Sequence, residues 1–238
     1  MRKVKKFKLT SEFIVDISGV KLFRIKALIE FGNVKAGDLG GYIEKEENLS
    51  HMGNAWVSGN AQVSGDARVS GNARVSGDAQ VFGDARVSGN ARVSGDAQVF
   101  GDARVSGNAR VSGNARVSGD ARVFGNAQVS GDARVFGNAR VSGDARVFGN
   151  AWVFGNAQVF GDARVSGDKD YAYAHGFGSC NRTTTFFRLK DGDVGVRCGC
   201  FYGTLAQFRD NVCETHGETK KAQEYLMLAD LMDFRFKN

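Results

Sequence analysis

Residues 53–70 read GNAWVSGNAQVSGDARVS, and the same six-residue phrase runs on to Ser166. From Gly53 to Ser166 the chain is nineteen consecutive hexads of the form G-[ND]-A-[RQW]-V-[SF], without one insertion. Position two is Asn ten times and Asp nine times. Position four is Arg twelve times, Gln five times and Trp twice. Position six is Ser twelve times and Phe seven times. Residues 69–86 are identical to residues 87–104, so three hexads form a larger unit of 18 residues. A solenoid whose coil has three sides of six residues predicts both periods. Within each side, alternation places Ala and Val inward and the residues at positions four and six outward. Gly with Asn or Asp makes each corner, because these residues tolerate the backbone of a tight bend.

Composition agrees. The chain has 238 residues, 32 Gly, no Pro and a formal net charge of +6. High glycine suggests collagen or disorder, but there is no G-X-Y period and apolar residues are plentiful. Missing proline suits a fold in which every coil donates backbone hydrogen bonds to the next. A helix would need a 3.6-residue period and would not tolerate Gly at every sixth position. No run of 18 apolar residues predicts a membrane span. Residues 1–10 are basic without an apolar core, so no secretory signal is expected. Four scattered cysteines make no disulfide framework, and a cytoplasmic setting is the expectation.

The hexads resemble those of left-handed β-helix proteins, with an aliphatic residue inward and a small residue four positions later. Val57 with Ala61 and Val63 with Ala67 fit that pattern. The resemblance implies left-handed coiling. The expected fold is therefore a mainly β, single-stranded, left-handed parallel β-helix of 18 residues per coil and about six coils. A β-rich N-terminal cap (1–52), the repeat prism (53–166) and a ββαα C-terminal module (167–238) make up the expected organisation. Val4–Leu9, Phe13–Ile17 and Val20–Ile29 read as cap strands, with a turn at Ser18-Gly19. In the tail, Thr183–Lys190 and Val194–Phe201 read as a hairpin. Thr204 reads as the N-cap of a helix to about His216, and a second helix covers about Thr219–Phe236. Both end units are expected to cap the prism, since open coils invite polymerisation.

Every third hexad shares a face. Face one carries Trp56, Arg74, Arg92, Arg110, Gln128, Arg146 and Arg164, with an Asn ladder from Asn54 to Asn126 at its corner. Face three carries Arg68, Arg86, Arg104, Arg122 and Arg140, with Asp66, Asp84, Asp102 and Asp120 at its corner. Its arginines suit phosphate and other anions. The hexads hold 12 Arg against 9 Asp, which is thin for a phosphate track and favours self-neutralisation. Nucleic acid is therefore not the expected partner. Face two carries Gln62, Gln80 and Gln98 together with Phe82, Phe100, Phe136, Trp152 and Phe154. An outward aromatic column reads as an interface to a protein partner or a second copy, as a dimer or trimer. Its structural alternative is ring stacking between coils.

Cys198-Gly-Cys200 and Cys213-x-x-His216 contain four possible zinc ligands. On a strand, Cys198 and Cys200 would share one face. Core packing of the thiols is the competing reading, and the favoured one. Zinc is the one cofactor the sequence raises; none other is expected.

Many hexapeptide-repeat proteins are acyl-CoA transferases that use a histidine as general base. Here His51, His175 and His216 all lie outside the hexads. The resemblance extends to the ends. Leu22-Phe23-Arg24-Ile25-Lys26-Ala27-Leu28 followed by Gly37-Asp38-Leu39-Gly40-Gly41, and Thr183-Thr184-Thr185-Phe186-Phe187 with Cys198-Gly199-Cys200-Phe201, are similar to segments flanking such hexads in phage and prophage proteins. These are often labelled transferases on the repeat alone. The expectation is a non-catalytic scaffold that engages a macromolecular partner, with no catalytic residue assigned. An acyltransferase and a nucleic-acid or nucleotide binder are the alternatives.

Overall fold

The computed structural model of the chain describes residues 5–178 and 182–237. Val4, with which the first cap strand was to begin, Lys3 of the basic cluster and the fourth cysteine, Cys180, lie outside the described residues. The hexads form just over six turns of a β-solenoid, and the cap residues from Leu39 to Leu49 lay a further coil on the first, making about seven. Each hexad contributes a two-residue strand from positions four and five, from Trp56–Val57 to Arg164–Val165. Residues 18 apart pair in parallel, as Arg74 with Arg92 and Arg92 with Arg110. Face one is a seven-stranded sheet and face three a six-stranded sheet. Face two continues into the cap, giving nine strands. The interior is a column of Ala and Val that excludes water throughout.

The corners explain the glycine count. Gly89 has φ +69°, which favours glycine, and a Cβ there would lie 2.9 Å from the Gly107 nitrogen one coil on. Backbone conformation and coil spacing thus both require the absent side chain.

Backbone hydrogen bonds link the coils along the axis. The position-four N–H donates to an alanine carbonyl 17 residues later, as in Trp56 to Ala73 (3.0 Å) and Gln98 to Ala115 (2.9 Å). The position-six N–H donates to a valine carbonyl in the same way, as in Ser58 to Val75 (2.9 Å) and Phe148 to Val165 (2.9 Å). This polarity leaves alanine and valine carbonyls open on the first coil and N–H groups open on the last. Buried backbone groups need partners, so the two ends need opposite chemistry.

The N-terminal unit supplies donors. β1 (Phe7–Val15) and β2 (Lys21–Ala27) form an antiparallel hairpin, and β2 pairs with β3 (Leu39–Ile43). The N–H of Tyr42 reaches the Ala61 carbonyl (2.9 Å), that of Glu44 reaches Val63 (3.0 Å), and that of Ser50 reaches Val69 (2.9 Å). Side chains finish the work. Buried Asn48 donates its amide to the Gly65 (3.0 Å) and Ala67 (2.9 Å) carbonyls. Buried Lys6 donates Nζ to the Ala55 carbonyl at 2.7 Å and lies 4.8 Å from the Phe31 ring centre.

The C-terminal unit supplies acceptors. Tyr171 Oη takes the Phe154 N–H (3.4 Å), Thr185 Oγ1 takes that of Gln158 (2.9 Å), and an Asp170 carboxylate oxygen takes that of Ser166 (2.8 Å). Burial pushes the Tyr171 hydroxyl up to about 12.

Behind these residues lies a four-stranded antiparallel meander of Tyr171–Phe177, Arg182–Arg188, Val194–Cys198 and Phe201–Thr204. Then come α1 (Leu205–His216) and α2 (Lys220–Phe236). The run of Thr184, Thr185, Phe186 and Phe187 is buried on both faces of this sheet. Phe187 joins the solenoid core, and Phe186 joins the core under the helices. Thr204 caps α1, accepting the Gln207 N–H, as the sequence predicts.

Two expectations need correction. The tail has four strands before its helices, because Tyr171–Phe177 adds a strand after a short 3-10 turn at Asp168–Asp170 and the chain doubles back at Gly199-Cys200. The first two expected cap strands are one, β1, carrying a bulge between Leu9 and Phe13.

Two predictions follow from the caps. Asn48→Ala leaves the buried Ala67 carbonyl and the part-buried Gly65 carbonyl without this donor and lowers stability by about 2 kcal/mol in denaturant melts; a change under about 0.5 kcal/mol would contradict the capping role. Burial also holds the Lys6 amine down to about 8, from the usual lysine value of 10.5. Between these values the unfolded chain binds more protons, so stability due to Lys6 rises with pH. The melting-temperature difference between wild type and Lys6→Met therefore shifts in favour of wild type from about pH 7 to about pH 10.

Candidate functional site

Because Ala, Val and Gly do the folding, the outward columns are where the faces differ. On face two Phe82 and Phe100 stack with ring centres 4.9 Å apart and an interplanar angle of 1°. Phe136 and Phe154 stack at 5.3 Å and 9°. Ser118 separates these pairs in the column, so the aromatic surface is two stacks. Trp152 stands edge-on to Phe136 at 6.3 Å, with the Arg134 guanidinium 4.9 Å over its ring. Gln98 donates to Gln80 (3.2 Å), and Gln62 pairs in register between Tyr42 and Gln80. Stacking half-buries Phe82, Phe100 and Phe136, while Trp152 and Phe154 remain 43% and 38% exposed.

Sequence reasoning missed one contributor to this face. The β1–β2 turn overhangs it, and Val15, Asp16, Ile17, Gln62, Gln80 and Phe82 help line a groove of about 260 Å³. Ile17 at the tip is fully exposed, and Val15 and Phe13 are about half exposed. The signal was present as apolar residues at 13, 15 and 17, the period of one strand face.

On face three Arg68, Arg86, Arg104, Arg122 and Arg140 stand directly over one another in register, all exposed. Among the described residues no hexad arginine has a carboxylate within 4.0 Å, so the expected neutralisation does not take the form of ion pairs. Asp66 instead pairs with Lys45 of the cap (2.8 Å), which holds its carboxyl below the usual range. The face-one ladder forms from Asn72 onward, Asn72 to Asn90 (3.1 Å), Asn90 to Asn108 (3.1 Å) and Asn108 to Asn126 (3.0 Å), while at Asn54 the backbone N–H donates to Asn72 (3.2 Å).

The cysteines fall differently from expectation. Cys198 ends a strand and Cys200 sits in the two-residue turn that follows, so they do not share a strand face. Gly199 at φ +58° permits that turn. Cys198 accepts the Thr184 hydroxyl (3.2 Å) and, with Cys200 and His216, borders a cavity of about 380 Å³. Cys213 lies outside this cavity on the exposed side of α1. Among the described residues no three Cys, His, Asp or Glu side chains converge as a metal site.

His51 is a cap residue. Its Nδ1 accepts the Lys6 N–H (3.2 Å) and its ring stacks on Phe7 at 4.4 Å. That bond engages the one ring lone pair that a neutral imidazole could offer as a base. Exposed His175 contacts Thr183 (3.0 Å), and His216 stacks on Tyr225 at 5.8 Å.

Within residues 61–155, ten overlapping segments, from 61–77 to 139–155, match the family model described as the YdcK beta solenoid repeat. The match lies wholly inside the hexads. No curated protein matches the chain.

The thiol placement predicts an order of reaction. Iodoacetamide labels Cys200 and Cys213 of the native protein before Cys198, read by peptide mass spectrometry. Equal labelling of all three would contradict the placement.

Proposed function

We propose that the protein is a non-catalytic binding scaffold whose face two, together with the β1–β2 turn, holds a protein partner. The observation that carries this reading is the exposed Ile17 tip overhanging the Phe82–Phe100 stack on a face that continues into Trp152 and Phe154. A groove that mixes Val15, Ile17 and Phe82 with Asp16, Ser18, Gln62, Ser64 and Gln80, beside aromatic surface, combines the apolar centre and polar surround that interfaces use. The rigid ladder beneath holds its contacts in fixed positions, which lowers the ordering cost of binding. The likeness of both chain ends to phage and prophage repeat proteins supports a partner among phage or host proteins.

Ring stacking also stabilises coils, so the test separates the two roles. Ile17→Asp changes an exposed residue and shifts stability by no more than about 0.5 kcal/mol. Phe82→Ser with Phe100→Ser removes a stack worth about 1 kcal/mol. Immobilised wild-type protein is expected to retain a defined partner from host lysate, and both variants to lose it. Retention of the same partner by both variants would overturn the reading.

A further inference from the structure

The hexad arginines and aspartates nearly balance in number but not in place. Of the nine hexad Asp, seven lie at the two corners that bound face two. Asp66, Asp84, Asp102 and Asp120 occupy one of these corners, and Asp78, Asp96 and Asp132 the other. The third corner, where face three turns into face one, carries the Asn ladder instead and meets Asp only at its far end, at Asp144 and Asp162. Exposed arginines run down both flanks of this neutral edge. Arg68, Arg86, Arg104 and Arg122 stand in register on face three, and Arg74, Arg92 and Arg110 on face one. Among the described residues none of the seven has a carboxylate within 4.0 Å. On face three each arginine follows its corner Asp by two residues, so the side free of opposing charge is the one towards the Asn edge. The Asp corners lie a full side of the prism from that edge, roughly 15 Å, which exceeds the Debye length of about 8 Å in physiological salt.

We propose that this edge binds double-stranded DNA, entering the major groove with one arginine column towards the phosphates of each strand. A corner of a three-sided prism is a wedge, and the major groove, about 12 Å wide, admits protruding elements. Guanidinium groups grip phosphate oxygens in pairs, in a geometry that lysine does not offer. The four face-three arginines span three coil steps, about 14 Å, short enough for a straight edge to follow a winding groove. Arginines on two flanks of a wedge serve two lines of phosphate, and a duplex supplies two where a single strand supplies one. A duplex of RNA fits less well, because its major groove is deep and narrow. Contacts to phosphate carry no sequence information, so the binding is independent of sequence. The edge lies opposite face two and leaves that face free.

Fluorescence anisotropy of a labelled DNA duplex of about 24 base pairs and arbitrary sequence, titrated with the full chain, tests the proposal. About five phosphate contacts give a log–log salt slope of about −4.5, so affinity is expected to fall about five-hundredfold from about 50 to about 200 mM salt. Arg92→Gln with Arg104→Gln removes one charge from each flank. It is expected to weaken binding at least about thirtyfold and to flatten the slope by about 2. Both side chains are exposed, so this variant is expected to keep the wild-type melting curve. Arg116→Gln with Arg134→Gln removes the same charge from face two and is expected to change affinity no more than about threefold, since it touches no phosphate. A single strand of equal length is expected to bind at least about tenfold more weakly than the duplex. No binding at about 50 mM salt, equal weakening by the two variants, or a single strand held as tightly as the duplex would each overturn the inference.

Discussion

Each coil of this protein passes its open N–H groups to carbonyls of the next. The rest of the molecule is arranged around starting and stopping that series. The bonds share one direction for the position-four and position-six amides, so the ends differ in kind. The first coil needs donors, and receives the backbone of β3 with the side chains of Asn48 and Lys6. The last coil needs acceptors, and receives Tyr171, Thr185 and Asp170. An unmatched buried carbonyl or amide costs about 1–3 kcal/mol, and an unmatched coil would present several. An open end would also be an edge for another chain to extend.

Once the ladder is closed, its regularity frees the surface. Ala and Val fill the interior, Gly turns the corners, and no outward side chain is needed for coiling. The three faces can therefore diverge without loss of fold. Face three keeps an arginine column, face one adds an amide ladder, and face two gathers aromatic stacks under an overhanging hairpin. The arginines of that column are exposed, and among the described residues none forms an ion pair within 4.0 Å. The family match covers residues 61–155, wholly within the repeats.

How much could be read from the sequence follows from the same division. Period six and period eighteen each reflect a contact repeated many times, so coil, core, corner and face were legible from Gly53 onward. The aromatic column, by contrast, was read as continuous, although Ser118 divides it into two stacks. Single contacts between segments far apart had no repeat to reveal them. Lys6 lies in a basic run with nothing in the sequence to mark it for burial, yet its amine reaches the Ala55 carbonyl, 49 residues away. Asn48 carries no periodic signal at all. The Cys198-Gly-Cys200 run was read as strand because its glycine was not taken as a turn. The apolar residues of α2 have helical spacing, but sequence alone could not say which side of α2 meets the sheet.

Amide hydrogen exchange tests the closed ladder most directly. If the C-terminal unit terminates it, the amides of Phe154, Gln158 and Ser166 exchange within about tenfold of those at Arg104 and Ser106 in the middle of the prism. Thr185→Ala then accelerates Gln158 selectively. Exchange of the last-coil amides as fast as the exposed Ser18 turn, with the middle of the prism still protected, would contradict the account.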